Sequence, residues 1–302
     1  MMHFALCTSV YESGRPFLAD WITAAIAAAE IAKGANSRVK GCAVSAIIAV
    51  DDLVEPEKAF ASLSNAMPTV FAQAPAQAST AGVRETMLRA VVQSDADIAV
   101  FCDMDDRLHR MAIERHADAL IDADFSFGDL QPVDANGQAT GGGFFAGADI
   151  PETVTEAAQL IDRNWLGFSN TAIMRSRLPE AALAVPDNII AVDWWFYTQL
   201  LKAGLKGARA QGTVADYRFH GNNVLGPKNA ADLNEIKHRC DIVRRHYKSL
   251  DNDSVMTEKL TNLERLIDRL QKDPQSLAAA VVDARSHSTV WHEDIGFLAR
   301  RP

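Results

Sequence analysis

Residues 98–106 read IAVFCDMDD: five apolar side chains, Ile98 to Cys102, and then Asp103-Met104-Asp105-Asp106. A short apolar run that stops at a polar cluster predicts a strand buried on both faces, as in a parallel sheet. The pattern occurs twice upstream. Val44–Val50 ends in Asp51-Asp52, and Phe4–Leu6 leads into Cys7-Thr8-Ser9. Helical stretches separate the three strands: Leu18–Lys33, closed by Gly34, and Val83–Val92. Strand–helix–strand alternation predicts an α/β fold with a mostly parallel central sheet flanked by helices. Ligands of such sheets bind beyond the carboxyl ends of the strands, and both acidic clusters fall at that edge. One cluster alone would read as a solvated loop. Two predict a site.

Composition narrows what the site can serve. The chain has 302 residues, 48% hydrophobic and 23% charged, as expected of a globular protein with a sizeable core. Surface scaling gives a folded area of about 12,500 Å². The net charge of −9 is uneven: the first 227 residues carry 17 basic and 27 acidic side chains, the rest 13 and 12. An acidic body repels phosphate backbones, so nucleic acid is excluded as the expected partner. A phosphorylated ligand would need a recruited cation, and a divalent metal would serve. No apolar run reaches the roughly 18 residues of a membrane span, the best one stopping at Glu30. Met1-Met2-His3 offers no cationic leader region, so the expected location is the cytoplasm. Cys7, Cys42, Cys102 and Cys240 lack C-x-x-C spacing and are expected to be buried thiols, neither disulfides nor zinc ligands.

Beyond the third strand, the stretch from Asp122 to Gly147 is rich in Gly, Asp and Asn and predicts loops and short hairpins, its glycines serving turns. Helical patterning returns at Thr153–Ile161 and at Asp193–Lys202, the latter closed by Gly204. After Gly226, Leu233, Ile236, Cys240, Val243 and Tyr247 recur at helical spacing, as do Met256, Leu260, Leu263, Ile267 and Leu270. The tail therefore predicts a pair of amphipathic helices packed on the body. Its polar face mixes both signs, which favours packing over peripheral membrane contact or a subunit interface.

Asp103-Met104-Asp105 is an Asp-x-Asp directly after a strand. Mg²⁺ and Mn²⁺ prefer oxygen ligands, usually one or two carboxylates plus substrate phosphates. The turn from Thr8 to Gly14 lacks G-x-G-x-x-G, and no G-x-x-x-x-G-K-[ST] occurs, so a glycine cradle for a diphosphate is missing. Carboxylates in that place suggest a metal in its stead.

Taken in order, these motifs resemble glycosyltransferase family two, of the Rossmann-like GT-A fold. Thr8 through Glu12 in FALCTSVYES is similar to the family's opening pattern. IIAVDD matches its strand ending in Asp-Asp, and Gly82-Val83-Arg84 followed by VFCDMDD matches its Gly-x-Arg, helix and Asp-x-Asp-Asp. Asn164-Trp165-Leu166-Gly167-Phe168-Ser169 is similar to the acceptor-side segment, and Tyr217-Arg218-Phe219-His220-Gly221-Asn222-Asn223 to the Tyr-Arg-x-His-x-x-Asn of bacterial polysaccharide transferases. Val192 departs from the pattern, because the family often has Glu before the acid that Asp193 supplies.

The resemblance implies a GT-A-like catalytic domain over residues 1–227, its nucleotide-binding half about 1–110 and its acceptor-side half 111–227. Residues 228–302 are a helical C-terminal extension. It implies a metal-dependent, inverting hexosyl transfer from a nucleoside-diphosphate sugar to a glycan or lipid-linked acceptor, with Mn²⁺ or Mg²⁺ as cofactor. The nucleotide would meet Thr8, Tyr11, Glu12, Asp52, Arg84 and Asp103; the metal would meet Asp103, Asp105 and His220. Sugar or acceptor would meet Asn164, Trp165, Gly167 and Trp194, and Asp193 would be the general base. A carboxylate opening a helix is stabilised as the anion by the exposed amides, so a low proton affinity is expected for Asp193. Two other readings stand beside this one. A silent GT-A-like module would bind sugar or nucleotide without turnover. A haloacid-dehalogenase-like phosphohydrolase would use Asp103 as nucleophile, but Arg107 fills the position where that family carries Thr or Val, and the strand is third rather than first.

Overall fold

A computed structural model describes residues 1–220, 233–250 and 254–275. Its core begins with β1 (His3–Val10), α1 (Leu18–Lys33), β2 (Ala43–Val50), two short helices α2 (Pro56–Ala59) and α3 (Ala61–Ala66), and β3 (Thr69–Gln73). These are followed by α4 (Thr80–Gln93) and β4 (Ile98–Phe101). β1 pairs in parallel with β2 and β4, and β2 with β3. β1 and β2 are buried along seven of their eight residues, because helices cover both faces. α1 turns Leu18, Trp21, Ile22, Ala25, Ala29 and Ala32 into the core; the small alanines let it lie close to the sheet. α4 is capped by Ser79, whose hydroxyl accepts the Gly82 N–H at 3.1 Å.

The second half continues through β5 (Arg107–Leu108), α5 (Ala112–Ala119), β6 (Phe125–Val133), β7 (Thr153–Val154), β8 (Thr171–Met174), α6 (Val192–Lys202) and β9 (Gly207–Arg218). One sheet runs β3-β2-β1-β4-β8-β6-β9-β5, with β7 also on β9. The parallel pairing expected from the sequence holds through β4. β8 then inserts antiparallel to both β4 and β6, and β9 returns parallel to β6. The sheet is therefore mixed in its second half.

Two local expectations are corrected. The stretch after Asp122 holds a nine-residue strand, β6, and Thr153–Ile161 forms β7 and a single 3-10 turn instead of a helix. Val154 is buried against β9, and Glu156 and Gln159 form a capping box that fixes the turn. Gly143 opens a turn, its carbonyl accepting the Ala146 N–H at 3.0 Å, and it is also held by close packing. A Cβ there would lie 2.1 Å from Asp129 Oδ2, so glycine is needed for close approach.

The C-terminal helices, α7 (Leu233–Lys248) and α8 (Ser254–Lys272), pack on the second half. Tyr247 donates to Ile161 O at 2.8 Å, Lys259 pairs with Asp162 at 2.7 Å, and His246 stacks on Trp194 at 3.9 Å. All four cysteines are buried and unbridged. Among the described residues no helix is long and apolar enough to cross a membrane.

Candidate active site

The carboxyl ends of β1, β2 and β4 open into a cleft of about 490 Å³. Ser9, Tyr11, Asp51, Asp52 and Asp103–Asp106 line one rim. The other is made of Gly167, Phe168 and Ser169 before β8 and of Ile190–Asp193 at the start of α6. Thr80, Val83 and Arg84 of α4 lie between the two. Acidic residues far apart in sequence thus share one space, because parallel strands deliver their ends to the same edge.

The turn after β4 is heavily braced. Asp103 forms an ion pair with Arg84 at 2.6 Å, and the guanidinium lies over the Phe168 ring at 4.9 Å. Asp105 Oδ2 meets His220 Nε2 at 2.9 Å, and that imidazole stacks on Phe17. Asp106 is buried; it accepts the Ser169 hydroxyl and the Arg218 N–H, the latter at 2.8 Å. The Asp103 N–H donates to Ser169 Oγ at 3.1 Å. Arg218 spans the rest, donating to Asp105 O at 2.8 Å, Ala135 O at 2.9 Å and Asp20 at 2.7 Å. Burial, reinforced by the charges of Asp105 and Asp103, pushes the Asp106 carboxyl well above the usual range. Burial also raises Asp103, with Arg84 opposing.

Asp193 lines the same cleft from the first turn of α6, where its Oδ1 accepts the Trp194 N–H at 2.7 Å. The expected low proton affinity is corrected. Burial raises its pKa to about 6, against the Trp194 N–H, with Asp103 adding to the rise and Arg84 opposing it. Desolvation shifts a carboxyl by up to several units, whereas a helix terminus contributes about 0.3–1 kcal/mol, so desolvation wins.

Of the residues expected to meet ligands, the cleft gathers Tyr11, Asp52, Arg84, Asp103, Asp105, Gly167 and Asp193. His220 lies outside the lining and reaches the site through Asp105. Five others do not line the cleft. Thr8 is fully buried within β1, and Asn164 is buried with its Oδ1 accepting the Leu166 N–H at 3.1 Å. Trp165 is buried beneath Arg163, and Trp194 is buried between His246 and Leu160, whose carbonyl accepts its indole N–H at 2.8 Å. Tryptophan's large apolar area explains both: it is worth most in the core. Glu12 braces a loop instead of lining the cleft, holding Arg15 at 2.6 Å and the Val54 N–H at 3.1 Å. Its own N–H donates to Asp52 at 2.7 Å. Gly221, Asn222 and Asn223 lie outside the described residues. Sequence reading assigned nothing to Ser169, Asp106 or Arg218, although the quoted motifs contain all three.

Among the described residues no group of three or more His, Cys, Asp or Glu side chains is arranged to hold a metal ion. The donor set still fits a divalent cation shared with a diphosphate. Asp105 and His220 already meet, and such ions commonly take only one or two protein ligands beside substrate phosphates.

No family model and no curated protein matches the chain. The likeness is three-dimensional. Residues 1–349 of S. aureus TarS, solved with UDP-GlcNAc, superpose with a TM-score of 0.56 at 12% identity, covering 90% of this chain and 73% of that one. The mannosyltransferase PcManGT from Pyrobaculum calidifontis, solved with GDP-Man and Mn²⁺, gives 0.54 at 12% identity, over 94% and 74%. The fold is GT-A-like. At this identity the likeness is one of fold.

Proposed function

We propose that the protein is a cytoplasmic, inverting glycosyltransferase of the family-two type, moving a hexosyl group from a nucleoside-diphosphate sugar to a glycan or lipid-linked acceptor. One observation carries the reading: Asp103, Asp105, Arg84 and Asp193 line a single cleft. Asp103 is suited to a ribose hydroxyl, Asp52 to a base imino group, and Arg84 to phosphate. Asp105 and His220 would hold Mn²⁺ or Mg²⁺. When bound, that ion supplies charge to the departing diphosphate, which gains charge as the sugar leaves.

The acceptor oxygen attacks the anomeric carbon as the bond from that carbon to the phosphate oxygen breaks, its electron pair leaving with the diphosphate. The acceptor proton passes to Asp193. A base with a pKa near 6 is largely deprotonated at neutral pH yet basic enough to take a proton late in the displacement. Inversion requires that Asp193 take that proton on the face opposite the leaving group. The test is calorimetric titration of nucleoside diphosphates with Mn²⁺ and with EDTA, paired with turnover of the matching nucleotide sugar. Binding with Mn²⁺ and release of nucleoside diphosphate during transfer are expected. Binding without turnover under any acceptor would instead mark a silent module.

A further inference from the structure

β8 enters the sheet antiparallel to β4, with Ile98 opposite Met174 and Val100 opposite Ala172. Carried past the strand ends, that register sets Ser169 opposite Asp103. A side chain takes over the contact there: the Asp103 N–H donates to Ser169 Oγ at 3.1 Å. An N–H can only donate, so Oγ accepts, and its own proton goes to the Asp106 carboxyl. The Asp106 N–H donates to Asp103 O at 3.0 Å, which closes Asp103–Asp106 into a turn. One hydroxyl thus holds that turn at its first residue and at its last. The other Asp106 oxygen takes the Arg218 N–H from the end of β9 at 2.8 Å. Ser169 is itself fixed from behind. The Gly167 N–H donates to the buried Asn170 Oδ1 at 2.7 Å, and the Asn170 amide donates to Gly128 O at 2.9 Å and Trp165 O at 3.0 Å. Ser169 and Asp106 are each 2% exposed, so water competes little for these bonds.

Resting on the transferase reading above, we infer that Ser169 is a positioning residue for nucleotide binding: its hydroxyl fixes the main chain of Asp103 and so the place of the carboxyl assigned to the ribose. Ser169 borders the cleft, yet its hydroxyl is committed to the turn, its one proton to Asp106. The Arg84 ion pair holds the Asp103 carboxyl from its other end at 2.6 Å, so main chain and side chain are each held once. Without the hydroxyl, the Asp103 N–H and the Asp106 carboxyl lose a buried partner together. The turn is then free to shift, and a contact group must be held to a fraction of an ångström to serve.

The test is a double-mutant cycle on the full chain, read by calorimetric titration in Mn²⁺ with UDP or GDP, whichever binds. Ser169→Ala should weaken nucleotide binding by about tenfold or more, the scale on which outer partners of ligand-bearing groups act. In an Asp103→Asn background the same change should cost less than about threefold, because the carboxyl that Ser169 places is gone. A merely structural role would be blind to that background. Ser126→Ala is the control: its hydroxyl is buried and meets His116 Nδ1 at 2.9 Å, away from the cleft lining. It should lower the melting temperature and leave nucleotide affinity within about twofold. Should Ser169→Ala not fold, Ser169→Cys replaces it, leaving a weak donor and acceptor in place of the hydroxyl, with an expected loss of at least about threefold. Losses that simply add in the cycle would overturn the inference. So would an unchanged affinity in the Ser169 variant, or an equal loss in Ser126→Ala. These results leave the transferase reading standing so long as the unaltered chain binds nucleotide. If it binds neither UDP nor GDP, that reading falls and takes the inference with it.

Discussion

The two rims of the cleft hold their carboxyls in opposite ways. Beyond β4, Asp103, Asp105 and Asp106 share one turn, and each is met by a partner: Arg84, His220, and the Ser169 and Arg218 donors. At the start of α6, Asp193 accepts the Trp194 N–H in a buried setting that raises its pKa to about 6. A braced carboxyl keeps its position and so suits a cation or a ribose, although burial raises Asp103 and Asp106 as well. A carboxyl stripped of water and given one donor keeps an appetite for a proton. If that division is right, Asp193→Asn should cut transfer by about 10²-fold or more, the scale of a lost general base. Nucleoside-diphosphate affinity should stay within about twofold, since the change lies across the cleft from the strand ends. Steady-state rates and calorimetry on one preparation decide it. Collapse of nucleotide binding would place Asp193 on the donor side and break the comparison.

Asp105→Ala probes the other rim. Removing one of the two adjacent donors should weaken Mn²⁺-supported nucleotide binding by about tenfold or more, on the scale of disturbing a metal's ligand set. The affinity measured in EDTA should not move. Equal affinities with and without Mn²⁺ in the unaltered chain would remove the metal from the scheme.

A smaller effect separates the rims by pH. As the proposed base, Asp193 would act only when deprotonated, so transfer should fall with unit slope below about pH 6 and be flat above it. Arg84 lowers that pKa, so Arg84→Met should carry the limb to higher pH. An acid limb unmoved in the Met variant would show that the limb belongs to another group.

The strand-end part of the cleft was also the legible one. β1, β2 and β4 are buried on both faces, and a doubly buried strand must be apolar throughout, so each reads as a run that halts where the site begins. The acceptor half hides its strands. β6 carries Gly128, Asp129 and Pro132 inside FSFGDLQPV, residues that ordinarily punctuate loops, and its register against β9 shifts twice near Asp129. Gly128 is there because a Cβ would lie 2.4 Å from Val214, a contact that sequence spacing does not reveal. β7 owes its pairing to β9, more than fifty residues away. Motif order picked out Asp52, Arg84, Asp103, Asp105 and Asp193, which line one cleft. The motifs could not tell which aromatic lines the cleft and which fills the core, because that depends on the tail: His246 and Tyr247 of α7 close over Trp194.

That closure gives the smallest test, one of stability. His246 is 1% exposed, stacks on Trp194 with an interplanar angle of 17°, and has no hydrogen-bond partner on either ring nitrogen among the described residues. Burial lowers its pKa to about 3, so the ring serves as a neutral flat plate behind the helix that carries Asp193. Phenylalanine keeps the plate and removes two buried polar atoms, each costing about 1–3 kcal/mol unpaired. It also adds volume, which takes back part of that gain. At pH 7.5, His246→Phe should therefore be neutral to about 1 kcal/mol more stable, and His246→Ala less stable by about 2 kcal/mol or more as the stack empties. The unfolded ring binds a proton below its ordinary value near 6.5, and the folded ring does not until about pH 3. The unaltered chain accordingly loses stability as pH falls from 6.5 toward 3, by at most about 1.4 kcal/mol per unit from this group. The Phe variant lacks that loss, so its advantage in urea denaturation should widen steadily between pH 6.5 and 5. An advantage that stays constant with pH would mean that the buried imidazole is protonated in the folded state, held by a partner outside the described residues.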